Sequence, residues 1–226
     1  MSGSDFPTGM AAPVKLYSYF RSSAAYRVRI ALNLKNLPYD VVPVHLLREG
    51  GQQHTPEFTS KSPAHMVPVL EDDSEMFTQS LAIIEYLEET HPHPALLPSN
   101  AVARAQIRAL ALDIACDTHP LANLRVMQYL TAELKLEESV RTEWSKRWVM
   151  TGLGVVEKKL GAWPGGDYCF GSTPTMADCC LIPQVFNARR LHCDLTILPM
   201  VNRIFEHCVQ LPAFQQASPE RQIDAE

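Results

Sequence analysis

Strand-like segments occur only in the first 90 residues, and the run His91-Pro92-His93-Pro94 separates them from a stretch that reads as helix throughout. Two prolines so close together end both ladders and helices, so this run marks a boundary between two kinds of folding unit. Before it, Val14 to Phe20 is aliphatic and aromatic and predicts a strand. From Ala25 to Lys35, Val28, Ala31, Leu32 and Leu34 recur at helical spacing, with Asn36 and Pro38 closing the run. Tyr39 to Leu46 is β-branched and predicts a second strand. A helix between two strands implies a parallel β-α-β crossover.

Arg48 to Pro63 is polar, with Gly50-Gly51 and two prolines, and predicts a long loop holding at most one helical turn. Val67-Pro68-Val69-Leu70 is strand-like but interrupted. Proline cannot donate to a ladder, so the strand is expected at an edge, or with Pro68 at its start. Glu75 to Phe77 gives a short fourth strand. Ser80 to Thr90 follows as a helix, with Leu81, Ile84 and Leu87 on one stripe and Ser80 as candidate N-cap. After the boundary, helices are expected over Ala101 to Tyr129, Leu136 to Leu160, Thr175 to Leu191 and Pro199 to Val209. Thr175-Met176-Ala177-Asp178 has the spacing of a capping box, a folding signal rather than a catalytic one. The expected units are a tail over residues 1–13, an α+β unit over 14–90, a linker over 91–100 and an all-α unit over 101–226.

A formal net charge of -5 argues against nucleic acid, whose phosphates are bound by clustered Lys and Arg. A small acidic ligand remains compatible, since a few placed arginines outweigh the balance locally. Residues 1–13 carry no targeting pattern, and no apolar stretch approaches the roughly 20 residues that span a bilayer. The expected setting is cytoplasmic, with no membrane contact. Six cysteines show no C-x-x-C pair and no zinc-ligand spacing, so no metal is expected; reduced thiols, several filling the core, fit them best.

The chemistry concentrates in Tyr17-Ser18-Tyr19-Phe20-Arg21-Ser22-Ser23-Ala24-Ala25-Tyr26-Arg27-Val28-Arg29-Ile30-Ala31-Leu32. Ser22 and Ser23 lie where a strand gives way to a helix, whose unpaired amides and partial positive charge favour an anion. A serine hydroxyl there can donate to a thiolate and lower the thiol's pKa. Serine is also a leading N-cap residue, so the position alone fits a plain cap equally.

The same string resembles the zeta-class glutathione transferase signature, in which Ser-Ser-Cys is followed two residues later by Arg-Val-Arg-Ile-Ala-Leu. Further matches are Gly50-Gly51-Gln52-Gln53, Val67-Pro68, Gln79 to Glu89, Cys116-Asp117-Thr118-His119-Pro120, Thr175 to Asp178, and Pro183-Gln184-Val185 leading to Asp194-Leu195-Thr196. The resemblance runs from about Lys15 to near the C-terminus. It implies the glutathione transferase fold: a thioredoxin-like α+β domain ordered βαβ-ββα, followed by an all-α domain.

Carried over, the resemblance makes Ser22 the activator of the glutathione thiol, with Ser23 and Ala24 beside it. The residues alone leave Ser22 and Ser23 both open. Val67, before a cis Pro68, would pair its backbone with the cysteinyl unit; Gln79 and Ser80 would take the γ-glutamyl carboxylate; Gln53 would contact the tripeptide further along. His119, Asn123, Leu124 and Arg125 would line the cleft from the helical side, although a packed helix histidine also accounts for His119. Arg21 and Arg190 are the candidates for substrate carboxylates, because guanidinium forks bind carboxylates bidentately; a solvated helix face is the alternative for Arg190.

The implied activity is glutathione-dependent cis–trans isomerisation of maleyl diacids, first of maleylacetoacetate in aromatic amino-acid breakdown. Maleylpyruvate isomerisation, a conjugating or α-halo acid dehalogenating transferase, and a non-catalytic glutathione-binding protein are the alternatives. A homodimer is implied by the resemblance alone. Ala24 stands where the family signature has cysteine, which removes a thiol beside the site and puts the exact substrate in question.

Overall fold

The computed structural model describes residues 14–163 and 165–226. The expected tail over residues 1–13 lies outside the described residues. The chain opens with β1 (Val14–Ser18), α1 (Ser23–Leu34) and β2 (Tyr39–Pro43), then α2 (Pro56–Lys61), β3 (Val69–Asp72), β4 (Glu75–Thr78) and α3 (Ser80–Thr90). The four strands form one sheet in the order β2-β1-β3-β4. β1 and β2 run parallel, as a helical crossover requires, whereas β3 is antiparallel to both β1 and β4.

The first strand ends at Ser18, short of the expected Phe20, because the Ser22 N–H turns back to the Tyr19 carbonyl at 2.9 Å. β2 stops at Pro43, on a sheet edge where a missing N–H costs nothing. β3 is an interior strand, so its proline satisfies the second expectation: Pro68 lies just before the ladder, joined to Val67 by a cis bond. The loop holds more than the one expected helical turn: 3₁₀ turns at Arg48–Gly50 and Gln52–His54 precede α2, where the Thr55 hydroxyl accepts from the Phe58 N–H at 3.3 Å.

Two further expectations need correction. Ser80 is not the cap of α3 but its first residue. Gln79 is the N-cap, at φ 68°, and its side chain makes no capping bond. The helix expected over Ala101 to Tyr129 is broken. α4 (Ala101–Leu112) passes into a π-helical turn, Asp113–Thr118, then a 3₁₀ turn, His119–Ala122. Pro120 has no N–H to continue the ladder. Asn123 then restarts α5 (Leu124–Ala132), its Oδ1 accepting from the Val126 N–H at 3.2 Å. The chain continues through α6 (Glu138–Ala162), α7 (Met176–Arg190), α8 (Pro199–Cys208) and an unanticipated short α9 (Pro212–Ala217). Among the described residues no strand follows β4.

One large apolar core joins the sheet layer to the helices, and a second, smaller cluster gathers Tyr19, Phe20, Val44, Phe58, Val67 and Val69. Val28, Ala31 and Leu32 of α1 belong to the same buried cluster as Cys179, Cys180 and Ile182 of α7. Cys169, Cys179, Cys180 and Cys208 are buried, Cys193 is half-buried and Cys116 exposed, all as free thiols. The capping box of α7 is present. The Asp178 carboxylate accepts the Thr175 N–H at 2.7 Å and the Cys169 N–H at 2.8 Å, pinning the approach to the helix.

Candidate active site

Strand register brings the sequence-distant residues to one place. Tyr17 of β1 pairs with Val69 of β3, which pairs with Thr78 of β4, and Ser18 pairs with Pro43 of β2. The same edge of the sheet therefore receives four segments: the turn to Ser22, the loop after Pro43, Val67-Pro68, and Gln79-Ser80. Loops at the carboxyl ends of parallel strands are where open α/β sheets bind ligands.

Ser22 is the N-cap of α1, its Oγ accepting from the Ala25 N–H at 3.2 Å. The capping role is real, and it does not consume the hydroxyl: an oxygen that accepts one bond still has its hydrogen to donate outward. Ser23 and Ala24 are the first two residues of the helix, both half-buried. The turn is fastened from the far end of the chain. The Phe20 N–H donates to Asp224 Oδ2 at 3.0 Å, and Arg29, fully buried, donates to the Phe20 carbonyl, the Ser18 hydroxyl and the Ala217 carbonyl at 2.9–3.0 Å. Burial pulls the Arg29 guanidinium down to about 10, still cationic at neutral pH. Glu226 extends the strap, pairing with Arg48 and lying 3.2 Å from His45 Nε2.

Gln53 is buried, with its Nε2 donating to the Leu46 carbonyl at 3.2 Å and its Oε1 lacking a partner among the described residues. Gly51, at φ 98°, makes this placement possible: a Cβ there would fall 2.5–2.8 Å from the Gln53 amide. Val67 lies outside the ladder, so its backbone is not committed to a neighbouring strand. α3 begins without a side-chain cap, whereas α1, α2, α4 and α5 are capped by Ser22, Thr55, Asn100 and Asn123. Its first residue, Ser80, is buried and accepts at Oγ from Arg27 Nη1 at 3.2 Å. An uncapped, half-enclosed helix start is a ready anion site.

The helical side contributes unevenly. His119 opens the 3₁₀ turn, and burial together with the Arg27 charge pushes its imidazole down to about 3, so it is neutral at physiological pH. Trp144 Nε1 donates to the Leu121 carbonyl at 2.7 Å and holds that turn against α6. Asn123 spends its Oδ1 on the α5 cap, Leu124 is half-buried, and Arg125 is exposed with no hydrogen bond or ion pair among the described residues. Arg190 donates to Asn187 Oδ1 at 2.9 Å and has no acidic partner among the described residues. Burial and the neighbouring Arg21 charge both lower its proton affinity. A cavity of about 190 Å³ adjoins Arg190, lined also by Glu138, Arg141, Thr142, Ser145 and Asn187.

Residues 16–95 match the glutathione S-transferase N-terminal domain model, and residues 142–206 match the C-terminal domain model. The chain belongs to the glutathione S-transferase family. It is 50% identical over 210 residues to the probable maleylacetoacetate isomerase of Vibrio cholerae, covering 93% of this chain and 97% of that protein. Among solved structures, a holo maleylpyruvate isomerase described as a bacterial glutathione S-transferase of the zeta class superposes with a TM-score of 0.91. The two are 42% identical over 94% of this chain and all of that one. A maleylacetoacetate isomerase from Methylobacterium extorquens, solved with bound malonate and GSH, gives a TM-score of 0.90 at 40% identity, over 94% of this chain and 99% of that one. This glutathione S-transferase is therefore of the zeta class, with the thioredoxin-like sheet domain and helical domain of that fold.

The family's tripeptide fits the polar groups left open here. The orphaned Gln53 Oε1, the uncommitted Val67 backbone and the start of α3, which lacks a side-chain cap, are open polar groups of the kinds an extended peptide with a terminal carboxylate uses. Sequence reasoning passed over Arg27 and Arg29 as parts of a motif. Two arginines inside an otherwise apolar helical run are the signal that would have singled them out, because arginine is almost never fully buried without a partner.

Proposed function

We propose that this glutathione S-transferase is a glutathione-dependent cis–trans isomerase of maleyl diacids, acting on maleylacetoacetate. The observation that carries the reading is the 50% identity, over 93% of this chain, to a probable maleylacetoacetate isomerase. Arg190, which has no acidic partner in an ion pair among the described residues, supports it, since a guanidinium fork suits a diacid carboxylate.

Bound glutathione supplies a thiol nucleophile that adds reversibly to the cis double bond, permits rotation, and is released unchanged. Every other element is the protein's own. The Ser22 hydroxyl, while capping α1, keeps its hydrogen free to donate to the thiolate, and the start of α1 adds partial positive charge. Val67 offers its backbone to the cysteinyl unit, Gln53 its open Oε1, and Ser80 with the α3 amides takes the γ-glutamyl carboxylate. Arg21 and Arg190 grip the diacid and stabilise negative charge developing on its carbonyl. His119, neutral, can accept or donate a hydrogen bond without repelling the cations around it. The relatives' names divide between maleylacetoacetate and maleylpyruvate isomerases. Maleylacetoacetate is preferred because most of the similar curated proteins carry that name. A cytoplasmic homodimer is the expected working form, supported by the family.

The test is an absorbance assay of both diacids with and without glutathione. Turnover of maleylacetoacetate that requires glutathione without consuming it supports the reading. Glutathione binding without turnover of either diacid would redirect it to conjugation or dehalogenation, with Ala24 the first residue to revert to cysteine.

A further inference from the structure

α1 carries two buried arginines, and the structure treats them differently. All three of Arg29's nitrogens donate to oxygen atoms of the protein. Arg27, 2% exposed, has one such bond, Nη1 to Ser80 Oγ at 3.2 Å; its Nε and Nη2 are buried and unpartnered among the described residues. Among the described residues no hydrogen bond or ion pair brings a carboxylate to Arg27. A buried charge with only a hydroxyl for company is unfavourable in isolation.

What lies beyond that hydroxyl is the uncapped start of α3, itself partially positive. Two positive features meet at one serine, and among the described residues no carboxylate pairs with either. The arrangement becomes favourable when an anion arrives on the far side of Ser80. A hydroxyl that accepts from a guanidinium is also a stronger donor, so the Arg27–Ser80 bond aims and polarises the Ser80 O–H. The same charge contributes to holding His119 neutral, which keeps a competing cation away.

We propose that Arg27 is a positioning residue for glutathione: its buried guanidinium holds Ser80 and completes the binding site for the α-carboxylate of the γ-glutamyl unit, without touching the ligand. This rests on the glutathione reading above and goes beyond it, because it assigns affinity for one carboxylate to a residue behind the cleft.

Calorimetric titration with glutathione and with 4-aminobutyryl-cysteinylglycine, the same tripeptide lacking that carboxylate, tests it. Arg27→Met is expected to weaken glutathione about tenfold, the worth of one charge-assisted contact, while leaving the analogue's affinity nearly unchanged. Its melting temperature in the absence of ligand should be unchanged or higher, since an unpaired buried charge has been removed. Arg27→Lys should recover most of the discrimination. Equal weakening of both ligands in Arg27→Met, or an Arg27→Lys protein no better than Arg27→Met, would show a merely structural role and overturn the proposal. Ser80→Ala removes the hydroxyl of the relay, and with it the one hydrogen bond of Arg27, while keeping the charge in place. It should abolish the preference for glutathione over the analogue, and a preference as strong as the wild type's would equally sink the idea. A wild-type protein that binds neither ligand would instead remove the glutathione reading itself.

Discussion

Lys35 Nζ lies 2.7 Å from Glu88 Oε2, with the lysine side chain fully withdrawn from water and the glutamate side chain 7% exposed. The pair ties the C-terminal end of α1 to α3, and both partners continue outward. Lys35 also donates to the His91 and Pro94 carbonyls at 2.7 and 3.0 Å, while Glu88 accepts from the Leu96 and Leu97 N–H groups at 2.9 and 3.1 Å. The proline-rich segment that reads as a linker is thus clamped at both polar ends.

Removing one partner should be severe. Glu88→Ala leaves a buried ammonium without its counter-charge, held only by two carbonyls, and two backbone donors unpaired, and an expected loss of about 3–5 kcal/mol follows. Replacing both residues with apolar ones should recover only part of this, since the Leu96 and Leu97 N–H groups stay unpaired at about 1–3 kcal/mol. Urea denaturation of the single and double variants measures the difference.

Ser22 and Ser23 separate cleanly. Ser22→Ala should lower kcat by about 10²–10³-fold, the range seen when one stabilising donor is removed from a charged centre. It should also cost about 1 kcal/mol through loss of the α1 cap. Ser23→Ala should retain most activity. The ultraviolet absorbance of bound thiolate, titrated with pH, should show the glutathione pKa rising in Ser22→Ala only.

Arg190→Lys should behave as a loss and not as a conservative change, because an ammonium lacks the bidentate fork. A KM for the diacid raised by about tenfold or more, with glutathione affinity unaffected, is the expected outcome. Steady-state kinetics with each substrate varied in turn would detect it.

His119 gives the pH behaviour a sign. Its folded pKa is about 3, against an ordinary 6.5, so between those values the unfolded chain holds a proton that the folded protein does not. Its contribution to stability is fully present above pH 6.5 and is lost progressively as pH falls toward 3. Activity should show no limb near pH 6.5 from this residue. His119→Gln should flatten the acid side of the stability profile, read by melting temperature across that range.

Gly152 should be among the least replaceable positions in α6. A Cβ there would lie 2.0 Å from Thr118 Oγ1, in the π-helical turn that precedes His119. Gly152→Ala is expected to cost about 1–3 kcal/mol through overpacking and to move that turn, lowering kcat although no polar group changes.

The strand and helix order was readable because alternation and helical spacing are local, and Pro68 announced its own placement at the start of a strand. The serine cap was readable for the same reason. The break between α4 and α5 was not: Ala101 to Tyr129 keeps an apolar spacing across Pro120, and only packing against Gly152 and Trp144 favours a π turn followed by a 3₁₀ turn there. Ser80 was misread as a cap because its partner, Arg27, is 53 residues earlier. The satisfaction of Arg29 depends on Ala217, 188 residues away. Contacts at such separations leave no periodic trace.

The large apolar core shared by the sheet and the helices has a further consequence for how the molecule comes apart. α1 spends one face on the sheet and another on α7, and its Arg29 and Asn33 are bonded to carbonyls of Ala217 and Ala213 in α9. Cutting the chain at its proline-rich junction would strip α1 of these partners and expose the clamp between Lys35 and Glu88. Neither half should survive as an independent fragment, and calorimetry of the whole chain should record one endotherm: two units by architecture, one by thermodynamics.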